Sequence, residues 1–290
     1  MALPSSGALS LAAIQTEYGG SAPISLSEYY RSNGYVTANN TGVPTGGTIS
    51  IGNFYGTVRR VAVSLTIGGT TANYNLWDNR GGNYATGISD ITLTINPGVV
   101  VGSGSTGAYA LLVTSAFNPG DTVRIVNNGT IVGKGGNGGD GKYAGGGSGG
   151  AGEGGGPAVY IERPTTIENN YIMGGGGGGG GGSGGFTQNK GGSGYGGGGG
   201  GGAGYAPGYG TGAIPGGTGD TYNGGGPSYG QIYSSPGGAG GSLGNGGARG
   251  ADTGGNSPSS GGAGGAPGYF IIGSGYVSWA ATGTRYGYAG

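Results

Sequence analysis

The chain has 290 residues, of which 87 are glycine and 21 tyrosine, with 11 basic and 11 acidic residues and no cysteine or histidine. The missing residues exclude disulfides, thiolate nucleophiles, zinc-cysteine sites, Ser-His-Asp triads and imidazole metal ligands. A net charge of zero argues against a role that depends on neutralising phosphates, and the single RGG at Arg80 is too little for an RNA-binding region.

In chain order, the first residues, MALPSSGALSLAAI, lack the basic start and long apolar core of a secretion signal. No later stretch approaches 18 apolar residues, so no membrane insertion is expected. Residues 1–57 carry an internal echo: LSLAAIQTEYGG from Leu9, ISLSEYYRSNG from Ile24 and ISIGNFYG from Ile49. In the second copy Ser25 is an N-cap candidate for a short helix whose Leu26, Tyr29 and Tyr30 share one face. Each copy is too short to stand alone. Two uses of these stripes stay open, a docking peptide and a small core shared by the three copies.

From Val58 the hydrophobic period changes to two. Val61, Val63, Leu65 and Ile67 fall on one face, as do Ile91, Leu93 and Ile95, and Asn128-Gly129 is a turn signal inside GDTVRIVNNGTIVG. These predict a small β domain over 58–132. The stretch from Tyr74 to Tyr84 reads as a loop that either exposes its aromatics or, the simpler reading, has Trp77 cover one end of the β core. VNNGTIVGKGG, IENNYIMGGGG and FIIGSGYVSW then share a plan of apolar strand, polar turn and apolar pair. They predict a strand base that glycine segments leave and rejoin.

Of the 87 glycines, 64 lie between Gly133 and Gly275. Ordering a glycine costs about 1–2 kcal/mol, whereas a net hydrogen bond returns only about 0.5–1.5 kcal/mol, so a lone glycine segment stays disordered. Side by side the balance changes. Extended helices with three residues per turn have no internal hydrogen bonds and direct every N–H and C=O sideways, and the missing Cβ lets neighbouring rods pair. Runs of similar length occupy 133–141, 149–156, 174–182, 196–202, 237–250 and 261–268, separated by short segments with Tyr143, Phe186, Tyr195 and Ser257-Pro258. Nine glycines at about 3.1 Å each make a rod roughly 28 Å long. The expected fold is therefore mostly β and irregular: a short N-terminal helical docking segment (1–57), a small β domain (58–132), a bundle of packed polyglycine II helices with strand insertions (133–275), and a C-terminal strand or tail (276–290).

GGNGGDGKY from Gly135 partly fits a calcium nonapeptide, but it occurs once and has Lys142 where an apolar residue belongs. No Walker loop and no carboxylate pair is present. No catalytic constellation, cofactor or metal site is nominated.

LPSSGALSLAAIQTEYGGSAPISLSEYYRSNGYV followed by GVPTGGTISIGNFYG resembles the opening of many bacteriophage tail and virion structural proteins. The resemblance implies that residues 1–57 join the chain to other virion tail proteins. The plan of 133–275 is similar to the receptor-recognising adhesins at the tips of T-even-like long tail fibres, whose glycine-rich motifs form a polyglycine II sandwich. That likeness implies a tail adhesin in the virion whose rod-joining loops bind a bacterial outer-surface receptor, a protein or a polysaccharide. The tyrosine-rich turns suit such contact because tyrosine offers rigid surface and a hydroxyl at low entropy cost. Candidate contact residues are Tyr143, Phe186, Gln188, Asn189, Lys190, Tyr195, Tyr205, Tyr209, Tyr222, Tyr229 and Tyr233. The alternatives are a structural tail-tip or decoration protein and, from another class, a glycine-rich ice-binding or matrix protein. If the chain leaves and rejoins the strand base at one end, the rods between Gly174 and Tyr269 are even in number. Four clear runs meet that condition and put 186–195 and 257–260 at the far end, with Tyr143 in the equivalent position. The segment 205–236 turns at the near end unless it holds a further rod.

Overall fold

Ser10 opens the first element. Its hydroxyl accepts the Ala13 N–H at 3.1 Å, and helix α1 (Leu11–Tyr18) runs from there to Gly19, where a positive φ turns the chain away. Two 3-10 turns, Leu26–Tyr29 and Ile51–Phe54, each follow a serine. These three pieces are the three sequence echoes. The last aromatic of each, Tyr18, Tyr29 and Phe54, is buried, and the three rings meet pairwise with centroids 6.3–6.4 Å apart. Leu3, Ile14, Val36 and Val43 complete this core. Of the Leu26, Tyr29 and Tyr30 stripe, Tyr29 is buried in a core shared by the three copies and Leu26 packs against it, because segments this short bury their apolar faces against one another. The computed structural model describes residues 2–37, 40–143, 147–187, 193–230, 235–254 and 259–290. The aromatic core belongs to the first of two compact units, made of Met1–Val63, Gly81–Ile91 and Phe117–Thr122; the second comprises Ser64–Arg80, Thr92–Ala116 and Val123–Gly290.

The strands wind as successive turns of a three-sided coil. The first turn is β1 (Val61–Ile67), β2 (Thr71–Ala72) and β3 (Tyr74–Asn75). The second is β4 (Ser89–Ile95), β5 (Val100–Gly102) and β6 (Leu111–Val113), and the third is β7 (Thr122–Asn127), β8 (Thr130–Val132) and β9 (Val159–Ile161). The fourth begins with β10 (Thr165–Asn169) and β11 (Ile172–Gly174). A small antiparallel ladder, β12 (Phe186–Thr187) with β13 (Ser193–Gly194), intervenes before β14 (Tyr269–Ile272) closes that turn. β15 (Val277–Ala281), β16 (Thr284–Tyr286) and β17 (Tyr288–Ala289) form the last. Every third strand stacks, giving sheets ordered β1-β4-β7-β10-β15, β16-β11-β8-β5-β2 and β17-β14-β9-β6-β3. β7 and β15 both pair parallel to β10, and every pair in the other two large sheets is parallel.

The alternation read from the sequence now has its cause. Along β4 the residues Ile91, Leu93 and Ile95 point inward and are buried, and Ile125 stacks on Ile167 in the next turn. At the corner that follows, Asn127 pairs with Asn169. Its Nδ2 donates to Asn169 Oδ1 at 2.7 Å, its Oδ1 accepts the Gly129 N–H at 3.1 Å, and Asn169 Nδ2 donates to the Thr282 carbonyl at 2.8 Å. Both asparagines are fully buried, so the corner stays satisfied without water. A Cβ at Gly129 would sit 2.4 Å from the Val99 carbonyl. Asn128-Gly129 is thus a corner between two sheets and does not pair β7 with β8. VNNGTIVG and IENNYIMG are the same corner in adjacent turns, whereas FIIGSGYVSW is the different corner through which β14 passes to β15.

Both glycine excursions leave after the second strand of a turn and return as the third: 133–158 between β8 and β9, and 175–268 between β11 and β14. The nine-glycine run lies at their centre. From Gly175 to Ser183 every N–H donates sideways, in a strict period of three. Gly176, Gly179 and Gly182 bond Gly156, Glu153 and Gly150; Gly177, Gly180 and Ser183 bond Ala203, Gly200 and Gly197; Gly178 and Gly181 bond Asn245 and Ala248. Its carbonyls accept with the same period from Gly133, Gly136, Gly139 and Lys142, from Gly238, Gly241 and Gly244, and from Gly262, Gly265 and Gly268. Six segments therefore surround one rod. Gly174–Gly182 are all buried, and none has a positive φ.

Among the described residues, eight laterally bonded segments run alternately away from and toward the coil between β11 and β14: 174–185, 195–204, 206–211, 214–220, 223–230, 235–244, 245–252 and 259–268. The even count holds, but there are eight rods where the sequence showed four. The run 237–250 folds back at Leu243-Gly244-Asn245, where Gly244 has φ +70°, and 205–236 carries three interrupted rods whose proline and threonine hide the period.

Candidate functional site

The lattice interior consists of backbone, so side-chain chemistry is confined to its turns and outer flanks. Hydrogen-bond register fixes which turns share an end. The near turns, beside the strand coil, are 204–206, 220–223 and 243–245; at the far end lie the turn 211–214 and the described rod ends 142–143, 147–149, 185–187, 193–195, 230, 235, 252–254 and 259.

At the near end Tyr205 packs with Val132, Ala203 and Leu243. A Cβ at Gly102 would lie 1.8 Å from its ring, so only glycine on β5 admits it. Tyr222 is 42% exposed, and its hydroxyl lies 3.4 Å from Thr130 Oγ1. Beneath it the Asp220 carboxylate accepts the backbone N–H groups of Asn223 and Tyr222, both at 2.7 Å, which hold its pKa below the usual carboxylate value.

At the far end Tyr143 and Tyr195 come together, their rings 4.8 Å apart and tilted by 51°. They are 51% and 40% exposed. Phe186 opens the β12–β13 ladder that joins the central rod to the next. Gln188, Asn189, Lys190 and Tyr233 lie outside the described residues. Tyr229 ends an outgoing rod and is 73% exposed, while Tyr209 sits partway along its rod, where its carbonyl accepts the Gly138 N–H. The expected contact residues thus divide. Tyr143, Phe186, Tyr195 and Tyr229 gather at the far end, Tyr209 lies on the flank, and Tyr205 and Tyr222 belong to the near end.

Polar groups beyond the expected contact residues brace the far turns. Thr253 N–H donates to the Ser259 carbonyl at 2.9 Å, and both hydroxyls reach the Gly185 carbonyl. Ser183 Oγ donates to the Ser235 carbonyl at 2.7 Å, and Ser235 Oγ to the Asp252 carbonyl at 3.0 Å. Arg249 pairs with Asp252, and the Gly261 N–H adds a bond of 2.8 Å; together they lower the Asp252 pKa. The sequence signal for these residues is the polar break ADTGGNSPSS between two glycine runs. Among the described residues no group of three or more His, Cys, Asp or Glu side chains could hold a metal, and no helix is long and apolar enough to cross a membrane.

The architecture is thus a coil of strands that carries a glycine lattice ending in aromatic turns. The family model for the phage tail fibre adhesin Gp38 matches residues 62–290, and the chain belongs to that family. It is a tail fibre adhesin, and the virion tail is where it resides. Among solved structures the chain is similar to one described as the gp37-gp38 adhesin tip complex of the bacteriophage S16 long tail fibre. That match has 23% identity, a TM-score of 0.52, and coverage of 98% of this chain and 99% of the other. No curated protein sequence matches.

Proposed function

We propose that this adhesin recognises a receptor on the bacterial outer surface through the far turns of its glycine lattice, which we read as a bundle of packed polyglycine II helices. The observation that carries the reading is the six-neighbour bonding of 174–183. It spends every N–H and C=O of that rod's interior within the lattice, leaving the exposed side chains of the turns as those that can differ at least cost to the fold. Tyr143, Phe186, Gln188, Asn189, Lys190, Tyr195, Tyr229 and Tyr233 form the contact group, with Tyr209 beside it. Tyr205 and Tyr222 act at the near end instead. The period of three and the absence of positive φ in 174–182 support the polyglycine II assignment. Residues 1–57 join the chain to a tail fibre protein; the similar S16 structure is itself a complex of gp37 with gp38. The chain works by binding rather than catalysis.

The test is adsorption of the purified chain to susceptible cells, with folding checked by thermal melting. Alanine at Tyr143, Tyr195 and Tyr229 together is expected to abolish adsorption and the block of infection, while alanine at Tyr205 leaves both intact in any variant that melts normally. Unchanged adsorption by the triple variant would sink the far-end assignment. A wild-type chain that never adsorbs would favour the purely structural tail-tip reading.

A further inference from the structure

On the near flank of the lattice lies a cleft of about 250 Å³ lined by Tyr222, Asn223, Ser242, Leu243, Asn245 and Tyr286. Three distant pieces of chain build it. The fold-back at Gly244 (φ +70°) sets Ser242 and Asn245 on either side of a tight turn, where Asn245 Nδ2 donates to Ser242 Oγ at 2.9 Å and braces both. Leu243, almost fully buried, forms the floor, and its N–H donates to the Tyr222 carbonyl at 3.0 Å, which ties the second piece to the first. Tyr286 on β16 comes from the last turn of the coil. Its carbonyl accepts the Gly175 N–H at 3.0 Å, while a Cβ on Gly244 would meet Tyr286–Gly287 backbone at 2.2–2.3 Å. The backbones at this cleft are therefore fixed, and two tyrosines, 42% and 40% exposed, stand at its sides.

The lining selects a chemistry. None of the six lining residues is charged, and the nearby Asp220 carboxylate is engaged by the Tyr222 and Asn223 N–H groups and by Asn223 Nδ2, so neither an anion nor a cation would be matched there. Two tyrosine rings offer apolar faces; Asn223 Nδ2 donates to the Asp220 carboxylate at 3.1 Å and Asn245 Nδ2 to Ser242 Oγ, which leaves the two amide oxygens as acceptors and the Ser242 hydroxyl as a donor. A neutral pyranose ring has the complementary pattern, with C–H groups on its faces and vicinal hydroxyls at its edge. The volume is below the range of about 300–1,000 Å³ usual for drug-sized ligands and suits one sugar ring rather than a chain. We propose that this cleft binds a single neutral sugar unit, separately from the far-turn contact. The two sites are independent, since the cleft lies at the opposite end of the rods.

The experiment uses the full chain with free glucose, galactose and N-acetylglucosamine, each at millimolar concentration, followed by saturation-transfer NMR. Transfer to the ring C–H protons of at least one sugar is expected, with affinity lowered about tenfold or more, roughly the loss of 1.4 kcal/mol, in Tyr222→Ala and Tyr286→Ala. Tyr286→Phe, which keeps the ring face, should retain binding. No transfer from any of the three sugars would overturn the proposal, as would equal transfer in both alanine variants. Should an alanine variant fail to fold, wild-type crystals soaked in the same sugar give the second reading. Density in the cleft supports the site, and sugar bound elsewhere alone refutes it.

Discussion

Ile125 in the strand coil and Gly179 in the lattice are equally buried and are held by opposite means. Around Ile125 the interior is side chain, with Leu93, Ile95 and Ile167 excluding water while the strands satisfy their own backbone along the sheets. Around Gly179 the nearest atoms are backbone. Its N–H reaches the Glu153 carbonyl at 2.8 Å, its carbonyl accepts from Gly265 at 2.7 Å, and an added Cβ would strike the Asn137 carbonyl at 1.9 Å. The coil is stabilised by apolar area removed from water. The lattice is stabilised by backbone groups that would otherwise be buried without partners. It follows that the coil is sensitive to atoms removed and the lattice to atoms added.

The sharpest way to break that contrast is Gly178→Val. Its Cβ would lie 2.0 Å from the Gly265 carbonyl oxygen and 2.5 Å from its carbon, so two rods must separate. Each lateral bond lost costs about 0.5–1.5 kcal/mol and each group left unsatisfied about 1–3 kcal/mol. Insolubility or a thermal midpoint lowered by many degrees is expected. Gly226→Ala is the paired control, since nothing lies within 4 Å of the place its Cβ would take, and a change of at most about 0.5 kcal/mol is expected there. A Gly178→Val chain that melts like wild type would mean that the lattice is not what holds 174–182.

Next in size, Leu93→Ala in the coil should cost about 2–5 kcal/mol through the cavity it leaves, measured by denaturant titration. A loss well below that range would show that the strand interior is less closely packed than the burial of Leu93 indicates.

The smallest effect concerns the first unit, where aromatic rings rather than backbone make the core. Burial pushes the Tyr18 hydroxyl up to about 12, above the ordinary value of 10.0. The folded unit therefore holds that proton more tightly than the unfolded chain. Stability from this source is complete below about pH 10 and falls as pH rises toward 12. Tyr18→Phe should flatten the loss over that window, read as the thermal midpoint against pH. An equally steep decline in the variant would assign the alkaline sensitivity to other tyrosines.

Much of this architecture is local enough to read from the chain. The three N-terminal echoes, the alternation of Ile91, Leu93 and Ile95, and the glycine runs broken by aromatics all report on the nearest neighbours in sequence. Their periods follow from backbone geometry alone. The far-end grouping of Tyr143 with Tyr195 was legible for the same reason, because rods of similar length leaving one base must turn at similar heights. The remainder was decided in three dimensions. Tyr29 enters a core because Tyr18 and Phe54 arrive from distant segments, and Asn127 is satisfied by Asn169 from the next turn of the coil. Tyr222 and Tyr286 face one cleft only because Gly244 folds a rod back between them. Above all, which six segments surround 174–183 has no trace in the sequence. Glycine carries no side chain to mark a partner, and a lattice of period three offers every rod the same set of N–H and C=O groups. Only the positions of the turns and the coil beneath them decide which rods meet.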